Sequence, residues 1–206
     1  LTGSEKVFGA ERYLRSIEGI TAARKVTHDG PWPERMAARY DEASAVADRG
    51  GRAAILTGGD PSIFSSGWRI LDRAAKPIHI SPGVSAFSCV AARAGAPLVG
   101  DFVLLSSGRE PEKASLLARS GFAVVVYNLK GEEVSPILEA VCPGLPVALA
   151  RDVDRAGESA IVLTAADLLD ARPSGFRFTL ILAPPSSYIR DGRIIARRGY
   201  ENKYSY

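Results

Sequence analysis

The segment from Arg52 to Phe64 constrains the fold more than any other part of the chain. Arg52 to Thr57 carries a run of apolar residues without polar alternation, which predicts a strand covered on both faces in a parallel sheet. Gly58 and Gly59 allow backbone conformations that are closed to other residues, and Pro61 suits the first turn of a helix. Ligands of open α/β sheets bind beyond the carboxyl ends of strands. The segment therefore predicts an α/β fold with a candidate ligand site at residues 58–60.

A second strand-turn-helix unit follows about one helix and one strand later. Pro77 to Ser81 is predicted as a short strand, Pro82-Gly83 as a turn, and Ser85 as the cap of a helix from Ala86 to Ala94. Taken alone, the first turn is equally well explained by Asp60 acting only as a helix cap. The repetition of the arrangement favours a ligand site.

The two turns together, GGDPSIF and SPGVSAFSCVAARAGAPL, resemble those of the tetrapyrrole methylases, the S-adenosyl-L-methionine-dependent enzymes of cobalamin and sirohaem synthesis. The resemblance implies two α/β domains with a ligand cleft between them, the N-terminal sheet mainly parallel and the C-terminal sheet mixed. We place the domains at residues 1–98 and 99–206. The family normally opens with a strand and a glycine-rich loop before its first helix, and residues 1–4 show neither.

The rest of the chain alternates predicted helices and strands. In the N-terminal domain we predict a strand at residues 6–9 and helices at residues 10–17, 34–48 and 61–75. In the C-terminal domain we predict strands at residues 102–106, 122–127, 146–150, 160–163 and 178–183. Predicted helices at residues 112–119, 133–141 and 165–171 lie between some of them. Asp191-Gly192 predicts a terminal hairpin.

The resemblance also assigns binding residues for S-adenosyl-L-methionine and its product S-adenosyl-L-homocysteine. The first turn contributes Gly58, Gly59, Asp60 and Ile63, and the second contributes Ser85 and Ala86. The end of the strand AVVVYNL and two later positions complete the set: Tyr127, Asn128, Leu129, Ala148 and Val153. Methyl transfer from a sulfonium to carbon needs positioning more than catalytic side chains.

Three places resemble one branch of the family, the precorrin-3B C17-methyltransferases. They are the Tyr127-Asn128 pair, residues 95–102 and the ending DGRIIARRGY. Residues 7–14 and Trp32-Pro33 instead resemble the precorrin-6Y C5-methylating branch. The implied function is C17 methylation of a precorrin or cobalt-precorrin with ring contraction. The alternatives are precorrin-6Y C5(,15) methylation, the diphthine synthase and rRNA-methylating branches, and a non-catalytic nucleotide-binding module.

A substrate that carries many carboxylates requires arginines, which pair with carboxylates bidentately. Arg109 and Arg151 follow predicted strands and are the predicted substrate-binding residues. The catalytic acid or base is not identified, although Asp60, Ser85, His28 and Tyr127 have suitable side chains. No cluster of metal ligands occurs in the sequence, so we expect no metal.

Composition narrows the class of protein. The chain has 206 residues, 46% of them hydrophobic, and a net charge of +3, which is too small to indicate a nucleic-acid partner. No apolar run is long enough for a membrane span. Cys89 and Cys142 are predicted to be buried free thiols. We expect a cytoplasmic enzyme with no membrane partner that, from the family, forms a homodimer.

Overall fold

The computed structural model describes residues 1–65, 67–106, 111–197, 199 and 203. The chain divides into two compact units, Leu1–Ser85 and Ala86–Tyr206, and each is described by itself. The division into functional domains at residues 98 and 99 remains a proposal. Within the described residues, no helix has the length and apolar character needed to cross a bilayer.

Unit 1 is built on a three-stranded parallel sheet. Its strands are β1 (Lys6–Phe8), β2 (Arg24–Val26) and β3 (Ala53–Ile55), and β1 lies in the centre of the order β2-β1-β3. Val7 and Phe8 are fully buried, because a central strand is covered on both faces. The parallel N-terminal sheet that we predicted is confirmed.

Helices α1 (Glu11–Arg15) and α2 (Trp32–Asp48) accompany this sheet. The predicted helix at residues 34–48 is confirmed, with two more residues at its start. Its buried apolar residues are Met36, Tyr40 and Val46, which belong to one helical stripe. The first helix is shorter than predicted, and the exposed strand β2 was missed because two of its three residues are charged.

Three predictions around the first turn were wrong. β3 is an edge strand of three half-buried residues rather than a longer strand covered on both faces. The helix begins at Gly67 and ends at Arg73 (α3), because Phe64 has a φ of 46°, which a right-handed helix cannot contain. Residues 77–81 form no strand.

Unit 2 contains a five-stranded mixed sheet. Its strands are β5 (Phe102–Ser106), β6 (Ala123–Leu129), β7 (Pro146–Arg151), β8 (Ser159–Thr164) and β9 (Phe178–Leu182). The order is β5-β6-β9-β7-β8, in which only β5 and β6 are parallel neighbours. The five predicted strands and the mixed character of this sheet are confirmed.

Successive side chains of the central strands enter two different cores. Val124 and Val126 of β6 belong to a large core beneath helices α5 (Pro111–Arg119), α6 (Gly131–Glu139) and α7 (Ala165–Asp170). Val125 belongs to a smaller core on the opposite face. This alternation follows from the two-residue period of a strand.

Helix α4 (Ala86–Ala94), which we predicted with the same bounds, covers the smaller core. A second sheet joins β4 (Gly95–Ala96), missed from the sequence, to the hairpin of β10 (Tyr188–Arg190) and β11 (Arg193–Ile195). Asp191 and Gly192 both have positive φ, as a two-residue hairpin turn requires, so the predicted hairpin is confirmed.

The two cysteines are free, but their predicted burial was wrong. Cys142 is exposed and Cys89 is half-buried. Cys142 lies just beyond α6, next to Pro143 and Gly144, and such turn residues are solvated even where the flanking residues are apolar. Burial raises the pKa of the Cys89 thiol, and a hydrogen bond with Asp154 raises it further.

Candidate functional site

The carboxylate of Asp60 organises the first glycine turn of unit 1. Its Oδ1 atom accepts hydrogen bonds from the backbone N–H of Ser62, at 2.8 Å, and from the Ser62 hydroxyl, at 2.5 Å. Its Oδ2 atom accepts one from the backbone N–H of Gly83, at 3.1 Å. Asp60 therefore closes a local turn and holds the second glycine turn, and it caps no helix, because α3 begins seven residues later.

The same hydrogen bonds lower the pKa of the Asp60 carboxyl below its ordinary value of 3.8. The Ser62 hydroxyl is the largest cause, followed by the N–H groups of Ser62 and Gly83. A carboxyl whose pKa is lower in the folded state contributes stability above its unfolded pKa and loses it as the pH falls through the folded value.

We therefore expect wild-type protein to lose stability more steeply than the Asp60→Asn variant between about pH 5 and about pH 2. Urea unfolding at several pH values, followed by circular dichroism, measures the difference. Parallel pH curves for the two proteins would show that the ionised carboxylate does not hold the turns.

The two glycine turns lie in direct contact. A Cβ atom added to Gly83 would be 2.3 Å from the carbonyl oxygen of Gly59, and one added to Gly58 would be 2.2 Å from the hydroxyl of Tyr13. Gly83 therefore requires glycine, because its neighbour is backbone, whereas the Tyr13 side chain next to Gly58 could rotate away. Unit 1 thus brings together Gly58, Gly59, Asp60 and Gly83 in one backbone cradle.

Ser85 does not have the structural role that we predicted for it. It is buried, with 5% of its surface exposed, and its Oγ atom has no hydrogen-bond partner among the described residues. The N–H of Phe87, which a Ser85 cap would satisfy, donates instead to the hydroxyl of Tyr127 at 2.6 Å. The Ser85 hydroxyl is thus a buried polar group that a ligand could satisfy.

Unit 2 brings the start of α4 and the end of β6 together through Tyr127. Besides its hydrogen bond to Phe87, the Tyr127 ring lies 6.4 Å from the Phe87 ring. Burial raises the pKa of the Tyr127 hydroxyl, although the hydrogen bond that it accepts from the Phe87 N–H lowers it. The predicted residues Ala86 and Tyr127 are therefore neighbours.

Asn128 occupies a β-bulge. The register between β6 and β9 shifts between Val126 and Leu129, and Asn128 has a φ of 60°. Asparagine tolerates this left-handed conformation better than other residues with a Cβ atom, apart from aspartate. The bulge thus explains why position 128 carries Asn instead of a bulky apolar residue.

We expect Asn128→Val to destabilise the protein by about 1–2 kcal/mol, because a β-branched residue is strained at positive φ. The Asn128→Gly variant is the matched control and should unfold at nearly the wild-type urea concentration, since glycine adopts this conformation freely. Equal stability of the valine and glycine variants would contradict the bulge.

Three other predicted binding residues belong to the interior of unit 2. Leu129 is fully buried in the larger core, so only its backbone could meet a ligand. Ala148 is buried in the smaller core, and Val153 packs against that core from the loop after β7. Ile63 of unit 1 is half-buried beside the Asp60 turn. These residues shape the scaffold more than they offer functional groups.

The predicted substrate arginines differ in what the structure shows. Arg151 lies over the Phe178 ring, with its guanidinium carbon 5.6 Å from the ring centre. Arg109 lies outside the described residues. His28, whose side chain could act as an acid or base, is mostly buried: its ring stacks on Phe8, and Nε2 is 3.7 Å from a Glu42 carboxylate oxygen.

The chain matches a known family of enzymes. The family profile described as Tetrapyrrole (Corrin/Porphyrin) Methylases matches residues 1–169. The chain belongs to this family. The predicted family is therefore confirmed.

Three of the relatives of this tetrapyrrole methylase illustrate the carbon or the substrate for which such proteins are named. The chain is 25% identical over 98% of its length to the cobalt-factor III methyltransferase of Priestia megaterium. It is 29% identical over 97% of its length to the probable cobalt-factor III C(17)-methyltransferase of Methanothermobacter thermautotrophicus. It is 26% identical over 86% of its length to the precorrin-3B C(17)-methyltransferase of a Sinorhizobium species. The chain spans 41%, 61% and 86% of those relatives, respectively.

Solved structures share the fold of this tetrapyrrole methylase. The crystal structure of the methyltransferase CobJ superposes with a TM-score of 0.75 at 19% identity, covering 94% of this chain and 89% of that one. Uroporphyrin-III C-methyltransferase from Thermus thermophilus, complexed with S-adenosylhomocysteine, gives a TM-score of 0.62 at 19% identity, covering 89% and 87%. The predicted α/β fold, with a parallel N-terminal sheet and a mixed C-terminal sheet, is confirmed.

The sequence analysis did not identify a set of ion pairs that lies next to Ala86 and Val153 in this tetrapyrrole methylase. Arg93 of α4 forms ion pairs with Asp154, at 2.6 Å, and with Glu158, at 2.7 Å. Arg93 thereby fixes the loop that carries Val153 to the helix that begins at Ala86. No local sequence pattern indicated these ion pairs, because Asp154 and Glu158 lie more than sixty residues from Arg93 in the sequence.

Proposed function

We propose that the protein is an S-adenosyl-L-methionine-dependent C-methyltransferase that methylates C17 of a precorrin or cobalt-precorrin in cobalamin biosynthesis. The observation that carries the proposal is the contact between the two glycine turns of unit 1, where Gly83 lies against the Gly59 carbonyl and beneath the Asp60 carboxylate. That contact leaves main-chain groups of both turns in one place, as a nucleotide-like ligand requires.

The residues present are compatible with the methyl donor. When bound, S-adenosyl-L-methionine supplies an already activated methyl group, so the protein has to position the reactants and exclude water. The buried Ser85 hydroxyl without a partner is suited to the polar amino-acid end of that molecule. The carboxylate of Asp60 is ionised near neutral pH, and its hydrogen bonds lower its pKa further below the ordinary value.

Unit 2 carries the other residues that the family resemblance assigns to the methyl donor. Tyr127 joins the end of β6 to the start of α4, and the bulge at Asn128 presents backbone groups that the regular ladder would otherwise use. Ala86, Leu129, Ala148 and Val153 complete this proposed surface. Gly58, Gly59, Asp60, Ile63 and Ser85 form the proposed surface of unit 1.

The names of the relatives support the choice of carbon. Two of the three relatives above are named as C(17)-methyltransferases, on cobalt-factor III and on precorrin-3B. Arg109 and Arg151 are the proposed contacts for substrate carboxylates, because guanidinium groups pair with carboxylates bidentately. A homodimer, which the family resemblance implies, and the cytoplasmic location expected from the composition complete the proposal.

Calorimetry with S-adenosylhomocysteine, NAD and ATP tests the donor site. We expect S-adenosylhomocysteine to bind with a dissociation constant on the order of micromolar, about −8 kcal/mol, and the other two nucleotides to give no heat of binding. Binding of NAD or ATP without any response to S-adenosylhomocysteine would contradict the methyltransferase proposal and favour a nucleotide-binding module.

A further inference from the structure

Both tryptophans of the chain lie on the surface of unit 1 and enclose one arginine. The guanidinium carbon of Arg69 is 5.1 Å from the ring centre of Trp32 and 5.1 Å from that of Trp68. Trp32 is the first residue of α2, and Trp68 and Arg69 belong to α3. We call these three residues the Trp-Arg-Trp stack.

The stack exposes aromatic surface instead of burying it. Trp32 is 46% exposed and Trp68 is 61% exposed. Leu71, three residues after Trp68 on the same helix, is 52% exposed. Side chains three residues apart lie on one face of a helix, so α3 presents an apolar, partly aromatic face to solvent.

Arg69 has charge and hydrogen-bonding capacity that the protein does not use. Among the described residues, its guanidinium makes contacts with the two indole rings but no hydrogen bond or ion pair. By contrast, Arg15 and Arg49 of the same unit form ion pairs with Glu11 and Glu5, respectively. The two cation–π contacts do not use the N–H groups of Arg69, so these donors can pair with an external acceptor.

We propose that the Trp-Arg-Trp stack binds the tetrapyrrole substrate, with Arg69 pairing with a substrate carboxylate and the indole rings contacting the macrocycle. A free guanidinium next to exposed indole rings matches one class of ligand, a planar apolar ring system that carries carboxylates at its edge. A guanidinium edge matches a carboxylate bidentately, and exposed indole faces suit a flat ring. This inference rests on the proposed function, since a precorrin has both features.

The test uses the whole chain and uroporphyrin III, a carboxylated tetrapyrrole, as the probe in calorimetry. We expect Arg69→Met to weaken its binding about 10- to 100-fold, the loss typical of a hydrogen bond to a charged group. The matched control is Arg73→Met, which removes the same charge from the exposed last residue of α3 and should change affinity less than about threefold. Arg69→Gln repeats the test if the methionine variant does not fold.

Tryptophan emission gives an independent readout, because the two tryptophans of the chain both belong to the stack. Benzene-1,2,4,5-tetracarboxylate should change the emission of wild-type protein and of Arg73→Met but not of Arg69→Met. Equal uroporphyrin affinity for wild type, Arg69→Met and Arg73→Met would overturn the proposal. Binding of a single-stranded RNA in place of uroporphyrin would also overturn it.

The outcomes separate this inference from the proposed function. S-adenosylhomocysteine binding should be the same in wild type and in Arg69→Met. If S-adenosylhomocysteine binds but uroporphyrin affinity does not depend on Arg69, only the role of the stack fails. If wild type binds no S-adenosylhomocysteine, the methyltransferase proposal fails, whatever the porphyrin result.

Discussion

The Gly83→Ala variant is expected to bind S-adenosylhomocysteine at least about tenfold more weakly than wild type. The added Cβ atom would lie 2.3 Å from the Gly59 carbonyl oxygen and 3.0 Å from its carbonyl carbon. Both are backbone atoms, so the clash cannot be relieved by rotating a side chain. The turns must separate, at a cost of about 1–3 kcal/mol for overpacking, and the Asp60–Gly83 hydrogen bond is weakened with them.

The control for this substitution is Gly100→Ala, since nothing lies within 4 Å of a Cβ atom at Gly100. Calorimetry on both variants, with circular dichroism to verify folding, measures the effect. Wild-type affinity in Gly83→Ala would show that the contact between the glycine turns plays no part in binding the donor. A loss of affinity in Gly100→Ala as large as in Gly83→Ala would show that the effect is not local.

The Leu129→Ala variant is expected to lose about 2–5 kcal/mol of unfolding free energy. Leu129 is fully buried in the larger core of unit 2, where truncation removes apolar contacts and leaves a cavity. The expected loss is a large share of the total stability of a typical protein. Urea denaturation measures it.

The Leu129→Met variant separates the packing role of this residue from a direct contact with the donor. Methionine conserves the volume and should cost less than about 1.5 kcal/mol, with wild-type affinity for S-adenosylhomocysteine. A large loss of affinity in Leu129→Met, without a matching loss of stability, would mean that the side chain itself touches the ligand. The Leu129 side chain would then belong to the donor site and not only to the core.

Most elements of unit 2 could be predicted from the sequence within a residue or two, but the two-residue strand β4 was missed. Strands such as β6 and β9 are continuous apolar runs bounded by turn residues, and these signals are local. The hairpin at Asp191-Gly192 depends only on two adjacent residues. Local signals of this kind need no knowledge of the surrounding structure.

The geometry of unit 1 could not be predicted in the same way. The course of the chain after Asp60 depends on a hydrogen bond from Gly83, twenty-three residues away, and on the positive φ of Phe64. The predicted strand at residues 77–81 has no ladder partner among the described residues. Such outcomes depend on tertiary contacts, which override local propensity.

The candidate site shows the same division. The contact of the glycine turns and the pairing of Tyr127 with the start of α4 join segments that the sequence could only associate by resemblance. The Trp-Arg-Trp stack left no local signal, because Trp32 is thirty-six residues from Trp68. Only the structure shows that Trp32 of α2 lies next to Trp68 and Arg69 of α3.

The most direct test of the account is methyl transfer itself, measured with S-adenosyl-L-methionine labelled with ¹³C in its methyl group. Cobalt-factor III and precorrin-3B are each incubated with the protein under anaerobic, reducing conditions, and the product is analysed by NMR. We predict that the label appears on C17 of the macrocycle. Failure of both tetrapyrroles to acquire label, or label at C5 instead, would contradict the assignment.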